Sequence, residues 1–339
     1  MHIEKNVPLA PLTTFRIGGK ARYFCRVETV QELEKAARLA QDEEMPVLFL
    51  GSGSNMLISD KGFAGLVIKP EIFGIEFVER GGRTEVIAGA GENWDELVSL
   101  CVARGLYGLE NLSGIPGTVG AAPIQNIGAY GSEVKDVTAS VEVYDTKTRK
   151  QKTLSRLSCK FGYRDSIFKR EGSPYVITNV RFSLAKEGEL NLSYRDMREF
   201  FEREKSLKPD LKSVRAAVLE IRSRKFPDLE IVGTAGSFFK NPIVAKSVYI
   251  SLKKKYPELP GFPAGRGKMK LSLAWIIDHV CKLKDLRAGD SGVAPHQTLV
   301  ICNFGSARAT EIKELADRIS KAVYETTGIT IEPEVKIIP

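Results

Sequence analysis

The chain has 339 residues, which is enough for two or three domains with separate hydrophobic cores. Hydrophobic residues make up 43% and charged residues 27%, the usual mixture of a globular protein. Its 50 basic and 42 acidic residues leave a diffuse excess of +8, which favours anionic ligands and does not indicate nucleic-acid binding.

The sequence also argues against secretion and membrane insertion. The first residues lack an apolar core of signal-peptide length, and no apolar run is long enough for a membrane span. The five cysteines are scattered and have no metal or redox spacing, so we expect reduced thiols in a cytoplasmic protein and no metal site. In that compartment the N-x-S sequons at Asn111 and Asn191 have no meaning.

The first 185 residues alternate between strand-like and helix-like segments. Thr29 with Glu32 predicts a first amphipathic helix, and Asn93 with Glu96 predicts a second one that ends near Gly105. Strands are predicted at PVLFL, GLVIK, GIEFVE, TEVIAGAG, VTASVEVYD and YVITNVRFSL. This mixture indicates an α+β fold.

The second part of the chain has longer helical patterns. We predict a helix at 214–226 stopped by Pro227, an apolar helix at 271–280, and a strand at 298–303. The lysine run at 253–255 is interpreted as a solvated helix end. Thr310 is predicted to cap a helix that reaches about Thr326, and a last strand follows at 330–338.

Two glycine-rich segments could hold a ligand. Residues 50–60, LGSGSNMLISD, follow a strand and could form an anion-binding nest, or they could be an ordinary turn. Residues 111–131, NLSGIPGTVGAAPIQNIGAYG, combine exposed backbone with apolar side chains and the amides of Gln125 and Asn126. That mixture suits a flat ring system with polar edges, such as a flavin, although a tightly packed loop between domains is an alternative.

Candidate catalytic side chains are few. Ser237 lies in GTAGSFFKNP, which is not a hydrolase nucleophile elbow, but a serine can donate a proton if a neighbour polarises it. Glu332 and Glu334 would share one face of a strand, where either could reach a site or be exposed to solvent.

Taken together and in order, TTFRIGG, LGSGSNMLISD, LSGIPGTVGAAPIQNIGAYG, YRDSIFK, GTAGSFFKNP and EPEVKII closely resemble the flavoenzyme family UDP-N-acetylenolpyruvoylglucosamine reductase. The resemblance implies an α+β fold with a vanillyl-alcohol-oxidase-type FAD-binding domain of two α/β subdomains and a smaller α+β substrate-binding domain. It implies subdomains at 1–68 and 69–225, a substrate domain at 226–327, and a C-terminal strand within 328–339 that returns to the second subdomain.

The resemblance also implies residue roles. The catalytic residues would be Arg164, Ser237 and Glu334. The substrate contacts would be Tyr130, Tyr194, Lys225, Asn241 and Gln297. The FAD contacts would be Gly51, Ser52, Gly53, Ser54, Asn55, Ile115, Pro116, Gly117, Thr118, Gly120, Ala121, Gln125, Asn126, Ile127, Gly128 and Arg222. LNLSYRDM places Tyr194 where one branch of the family has a loop tyrosine over the substrate diphosphate, whereas TTFRIGG and LSGIPGTVG resemble the other branch, so the branch stays open.

By resemblance, NADPH would reduce FAD, and hydride from flavin N5 would then add to C3 of the enolpyruvyl ether of a UDP-sugar while Ser237 protonates C2. We expect a monomer that binds neither nucleic acid nor membrane. Two alternatives stay open, namely an oxidase of the same fold and a nucleotide-binding or structural protein that is not an enzyme. The first would often attach flavin through His or Cys, and no His lies near either glycine-rich loop.

Overall fold

The structure is a computed structural model and describes residues 1–204 and 208–339. The chain forms two compact units. The first unit contains Met1–Val7, Ala21–Ser52 and Ala64–Ser223. The second unit contains Pro8–Lys20, Gly53–Phe63 and Arg224–Pro339.

Both units contain strands and helices. The strands are β1 (Ile3–Pro8), β2 (Lys20–Val27), β3 (Val47–Phe49), β4 (Met56–Ile58), β5 (Phe63–Pro70), β6 (Ile75–Arg80), β7 (Arg83–Gly89), β8 (Gly128–Ala129), β9 (Ser132–Glu133), β10 (Thr138–Asp145), β11 (Lys150–Ser155), β12 (Tyr175–Ala185), β13 (Gly233–Ser237), β14 (Ile243–Ala245), β15 (Gly261–Pro263), β16 (Lys268–Leu271), β17 (Arg287–Ala288), β18 (Ser291–Ala294), β19 (Gln297–Asn303) and β20 (Lys336–Ile338). The α-helices are α1 (Val30–Asp42), α2 (Trp94–Ala103), α3 (Arg195–Arg203), α4 (Leu211–Lys225), α5 (Lys246–Lys255), α6 (Leu273–Trp275) and α7 (Ala309–Thr327). Short 3-10 turns lie at Ala10–Leu12, Glu110–Leu112, Val119–Ala121 and Val134–Asp136, and a π-helical turn lies at Ile276–Val280.

Apart from single residues at strand ends, the first unit contains two larger sheets and the short antiparallel pair β8-β9. One has the strand order β1-β2-β5-β3, with β3 and β5 parallel, and α1 packs on it through Leu33, Ala36 and Ala40. The other has the order β11-β10-β12-β7-β6, and its neighbouring strands are antiparallel. Its largest core surrounds Trp94 of α2, whose ring meets Phe182 of β12 edge-on at 5.9 Å.

The second unit is built around the sheet β13-β19-β18-β17 and the smaller sheet β14-β16-β15. Helix α7 buries Ile312, Leu315 and Ile319 in the main core of this unit, together with Phe238 and Phe239. The C-terminal strand β20 pairs in parallel with β4. The predicted strand at 330–338 is therefore shorter than expected, and its partner lies in the second unit rather than within 69–225. The predicted three-domain division stays a prediction.

Local cap chemistry confirms the first two predicted helices. The Thr29 side chain accepts a hydrogen bond from the Glu32 N–H at 3.2 Å, and Asn93 accepts from Asp95 and Glu96. Helix α2 ends just before Gly105, whose φ of +72° continues the chain in the left-handed region.

The later helices depart from their predicted bounds. Helix α7 begins at Ala309 rather than after Thr310, because Asp60 accepts from the Ala309 N–H at 2.9 Å and acts as a cap from 249 residues away. Helix α4 begins at Leu211 rather than Val214. The predicted helix at 271–280 is divided into the short α6 and the π-helical turn.

Two helices were not predicted, and one of them accounts for the lysine run. Helix α5 ends in Lys253–Lys255, which confirms that these lysines form a helix end.

Within residues 1–204 and 208–339, no helix has the length and apolarity needed to cross a bilayer.

Candidate functional site

Parts of the two glycine-rich segments lie against one another in the first unit. A methyl group on Gly51 would lie 3.1 Å from Thr118 Oγ1, and one on Gly120 would lie 2.6 Å from Ala90 Cβ. These glycines therefore allow two stretches of backbone to approach closely, and a larger side chain at Gly120 would force them apart. Close packing of glycine-rich backbone also leaves N–H groups free of covering side chains, as binding of a phosphate group requires.

Ser52 supports the same interpretation. Its Oγ is buried and has no hydrogen-bond partner among the described residues. A buried hydroxyl without a partner is rare and indicates that a polar group from outside the chain completes its bonding. A phosphate oxygen of FAD would be such an acceptor. The residues present in the first unit therefore fit the cofactor that the sequence predicts.

Three predicted site residues have backbone conformations that non-glycine residues seldom adopt. The φ angles of Asn126, Tyr130 and Arg164 are +47°, +46° and +53°. Their side chains and neighbours are held by specific bonds, and Arg164 Nη2 donates to the Gly128 carbonyl at 2.8 Å. Unfavourable backbone conformations that the surroundings enforce are concentrated at functional sites, so this clustering supports a site in the first unit.

Asn126 is fully buried, and its side chain bonds within the unit. Its Nδ2 donates to Glu133 and to the Gly162 carbonyl at 3.1 and 2.9 Å, and its Oδ1 accepts from the Lys135 N–H at 3.1 Å. The amide thus joins the predicted FAD segment to residues 133–135 and 162. Any contact of Asn126 with a cofactor would involve its backbone.

Tyr130 and Tyr194, the two predicted substrate tyrosines of this unit, are neighbours. Their rings meet edge-on at 5.5 Å, and Tyr194 is 46% exposed whereas Tyr130 is buried. Asn111 donates to the carbonyls of Tyr130 and Asn191, at 2.9 and 2.8 Å, and Asn191 donates to the Gly131 carbonyl. These asparagines hold the Tyr194 loop against the Tyr130 turn.

This function of Asn111 and Asn191 was not predicted, since both residues were interpreted only as sequons. The available signal was an asparagine inside a charge-free, glycine-rich run.

Arg222 of α4 reaches the start of the long glycine-rich segment. Its Nε donates to the Gly114 carbonyl at 2.9 Å. Burial lowers the pKa of Arg222, and the Coulomb interactions with Tyr130 and Asp95 oppose this effect. A buried guanidinium beside a predicted FAD segment is suited to an anionic cofactor.

In the second unit, Ser237 and Glu334 lie on neighbouring stretches of backbone. Ser237 is half-buried at the end of β13, and the next residue, Phe238, accepts a hydrogen bond from the Glu334 N–H at 2.7 Å. Asn55 donates through its side chain to the Glu334 carbonyl at 3.3 Å, so part of the first glycine-rich segment also contacts this region. Glu332 is exposed and pairs with Lys240 at 3.1 Å.

Other predicted substrate residues of the second unit are distributed around it. Asn241 accepts from the Leu273 N–H at 2.9 Å. Lys225 and Gln297 are half-buried. Gly53, from the first glycine-rich segment, has a φ of +64°, and a methyl group there would lie 2.5 Å from the Leu12 carbonyl oxygen.

The remaining predicted FAD residues occupy the same two segments. Gly117 accepts from the Trp94 N–H at 3.1 Å, and Lys169 donates to Gln125 at 3.4 Å. The others are half-buried or exposed at Ser54, Ile115, Pro116 and Ala121 and buried at Ile127.

All five cysteines lack a disulfide, and Cys281 alone among them is not fully buried. Burial raises the pKa of Cys25 and Cys159 to about 11 and that of Cys101 and Cys302 to about 12. Thiols of this kind are poor nucleophiles, which disfavours covalent attachment of a flavin. Among the residues that the structure describes, no group of three or more His, Cys, Asp or Glu side chains could hold a metal ion.

Comparison with known proteins assigns both parts of the chain. Residues 21–153 match the family model of an FAD binding domain, and residues 227–338 match that of the UDP-N-acetylenolpyruvoylglucosamine reductase C-terminal domain. Reductases of that name from Chromobacterium violaceum and Pseudomonas aeruginosa are 40% and 38% identical and are covered over 99% and 98% of their length, by 100% and 98% of this chain. The crystal structure of UDP-N-acetylenolpyruvylglucosamine reductase from Thermus caldophilus aligns over 100% of both chains, with 29% identity and a TM-score of 0.70. These matches confirm the predicted fold class.

Proposed function

The chain belongs to the UDP-N-acetylenolpyruvoylglucosamine reductase family and is therefore an oxidoreductase, and from that premise we propose its substrates and residue roles. We infer that it reduces UDP-N-acetyl-3-O-(1-carboxyvinyl)-glucosamine to UDP-N-acetylmuramate, a precursor of peptidoglycan, with NADPH as the electron donor. The observation that carries the proposal is the succession of an FAD-binding match and the family's own C-terminal domain in one chain.

The chemistry of the substrate assigns distinct tasks to the catalytic residues. When bound and reduced by NADPH, FAD would supply the hydride that adds to C3 of the enolpyruvyl group. Negative charge then develops on C2 and on the adjoining carboxylate. Arg164 would stabilise this charge directly, whereas Glu334 can do so only when it is protonated or acts through a hydrogen bond.

Ser237 would complete the reaction by giving its proton to C2, which yields the lactyl ether of the product. Its position at the end of a strand supports this role, since a strand fixes the direction of the hydroxyl more precisely than a mobile loop does. The hydrogen bond that Arg164 donates to the Gly128 carbonyl orients the guanidinium in the same way. Tyr130, Tyr194, Lys225, Asn241 and Gln297 would bind the UDP-sugar.

A two-step flavin experiment tests this function. The purified protein should be yellow, should be bleached by NADPH without oxygen, and should recover its colour within a stopped-flow trace when the enolpyruvyl sugar nucleotide is added. Repetition with NADH measures the preference between the two nicotinamides. Recovery of colour with oxygen but not with the sugar nucleotide would identify an oxidase of the same fold and contradict the proposal.

A further inference from the structure

Gly114 lies near the start of the long glycine-rich segment, just before the predicted FAD contacts, and charged side chains hold it from two sides. Its N–H donates to Asp95 Oδ1 at 2.6 Å, and its carbonyl accepts from Arg222 Nε at 2.9 Å. Its φ is +68°, in the left-handed region that glycine adopts at little cost. The orientation of this one residue sets the direction in which residues 115–121 leave it.

Asp95 is in turn held by Arg215. The guanidinium donates two bonds, from Nη1 to Oδ1 at 2.6 Å and from Nη2 to Oδ2 at 2.8 Å. Such a bidentate pair fixes the plane of the carboxylate as well as its charge. Burial opposes the ionisation of Asp95, but hydrogen bonds from Arg215 and the Gly114 N–H outweigh it and lower its pKa. The carboxylate is therefore charged when it accepts the Gly114 N–H.

The two arginines come from one face of α4. Arg215 and Arg222 are seven residues apart, which is about two helical turns, so both point in the same direction. Arg222 holds the Gly114 carbonyl directly, and Arg215 holds its N–H through Asp95. An acidic residue in the first turn of α2 would interact favourably with the helix dipole without bonding to Gly114, and Glu96 already occupies that turn. The dipole therefore does not account for the contacts of Asp95.

We propose that Asp95 and Arg215 are positioning residues for the cofactor, which orient the Gly114 peptide and thereby the FAD-contacting backbone that follows it. The inference rests on the proposed assignment of residues 115–121 to FAD. Neither side chain is required to touch the cofactor, so their effect on FAD affinity is transmitted through the backbone.

The test measures FAD affinity of the apoprotein by quenching of flavin fluorescence, at a temperature well below the melting transition of each variant. The variants are Asp95→Asn and Arg215→Gln. Each variant has a matched control. Glu96→Gln removes one negative charge from the first turn of α2, as Asp95→Asn does, and Lys212→Gln removes one positive charge from α4, as Arg215→Gln does. We expect about a tenfold higher FAD dissociation constant in both variants, as the loss of one charge-assisted bond predicts. The double variant should be no weaker than either single one.

Equal FAD dissociation constants for the variants and their controls would overturn the proposal, as would failure of both variants to fold, because the pair would then serve the fold and not the segment. If Asp95→Asn alone fails to fold, Arg215→Gln decides. Absence of FAD binding by the wild-type apoprotein would instead contradict the proposed function, so the two failures are distinguishable.

Discussion

In the first unit, the predicted site residues Asn126, Tyr130 and Arg164 adopt left-handed backbone conformations that side-chain hydrogen bonds surround. In the second unit, Ser237 ends strand β13 and Glu334 lies in a bend, where the Phe238 N–H bonds to the Leu299 carbonyl and the Glu334 N–H to the Phe238 carbonyl, both at 2.7 Å. The first arrangement depends on the identity of particular side chains. The second depends mainly on backbone groups, which every residue except proline provides in full, with one side-chain bond from Asn55 to the Glu334 carbonyl.

This difference predicts how the units tolerate substitution. The predicted catalytic side chains of the second unit should be replaceable at little cost in stability, so their chemical contribution can be measured separately. Side chains around the site of the first unit should affect stability and ligand binding together, because the same amides and guanidinium groups hold the backbone in an unfavourable conformation.

Ser237→Ala gives the largest expected effect. The substitution removes one hydroxyl and leaves the backbone of β13 unchanged, so the melting temperature and FAD binding should stay near wild type. Reduction by NADPH should be unaffected, since it requires no proton on carbon. Reoxidation by the enolpyruvyl substrate, followed by stopped flow, should slow by about 10²–10⁴-fold.

Ser237→Cys serves as the matched variant and should retain part of the activity, because a thiol can also donate a proton. A reoxidation rate of Ser237→Ala within a fewfold of wild type, with a lower melting temperature, would show that the serine only packs within its strand.

Asn126→Ala tests the opposite side of the comparison. Its amide makes three partly buried bonds, and each polar group left without a partner costs about 1–3 kcal/mol. We expect the free energy of unfolding to fall by about 3 kcal/mol in a denaturant titration, with weaker FAD binding. Gln125→Ala, next to it and half-buried, should cost less stability. An equal loss of unfolding free energy in both variants would show that the bonds of the Asn126 amide add no stability. The proposed side-chain dependence of the first unit, which distinguishes it from the second, would then be wrong.

Helix starts that are capped by residues nearby in the chain could be predicted from the sequence. Helix starts and loop contacts that depend on residues distant in the chain could not. Thr29 and Asn93 accept hydrogen bonds from N–H groups only two or three residues further along the chain, so the first two helices could be predicted. The true cap of α7 is Asp60, which folding brings from a distant segment. Helices α3 and α5 begin without a side-chain cap and therefore gave no local signal.

The site shows the same limit. Motif order was sufficient to recognise the family, because these short segments hold the residues predicted to contact cofactor and substrate. The partners of those segments were not predictable, since the bonds from Asp95 to Gly114 and from Asn111 to Tyr130 each span 19 residues. Nothing in the spacing of an asparagine or an aspartate specifies which distant peptide group it will hold.

Tyr194→Phe should have a smaller effect, confined to the substrate. The ring would keep its edge-on contact with Tyr130, and the loop would keep the bonds of Asn191. We expect about a tenfold higher KM for the sugar nucleotide, as loss of one hydrogen bond predicts, with unchanged reduction by NADPH. Equal damage to both half-reactions would indicate a structural role and extend the side-chain dependence of the first unit to this loop.

Asp145 holds the turn between β10 and β11, which contains none of the predicted site residues. Asp145→Asn therefore tests whether stability depends on particular side chains throughout the first unit or only around its site. Its carboxylate accepts from the N–H groups of Lys147 and Thr148 and from Lys152 Nζ, at 2.9, 3.0 and 2.6 Å. Burial opposes the ionisation of Asp145, but these bonds outweigh it and lower its pKa from 3.8 to about 2. The folded pKa lies below the unfolded one, so the stabilisation is present above about pH 4 and is lost as the pH falls towards 2.

The Asp145→Asn variant should be less stable by about 1 kcal/mol at pH 7, since the amide still accepts from the turn, and this difference should shrink on acidification. Thermal melts of both proteins from pH 7 to pH 3, with the exposed Asp42→Asn as control, measure it. A difference that is constant with pH would mean that the carboxylate charge contributes nothing, and that only the site of this unit depends on particular side chains.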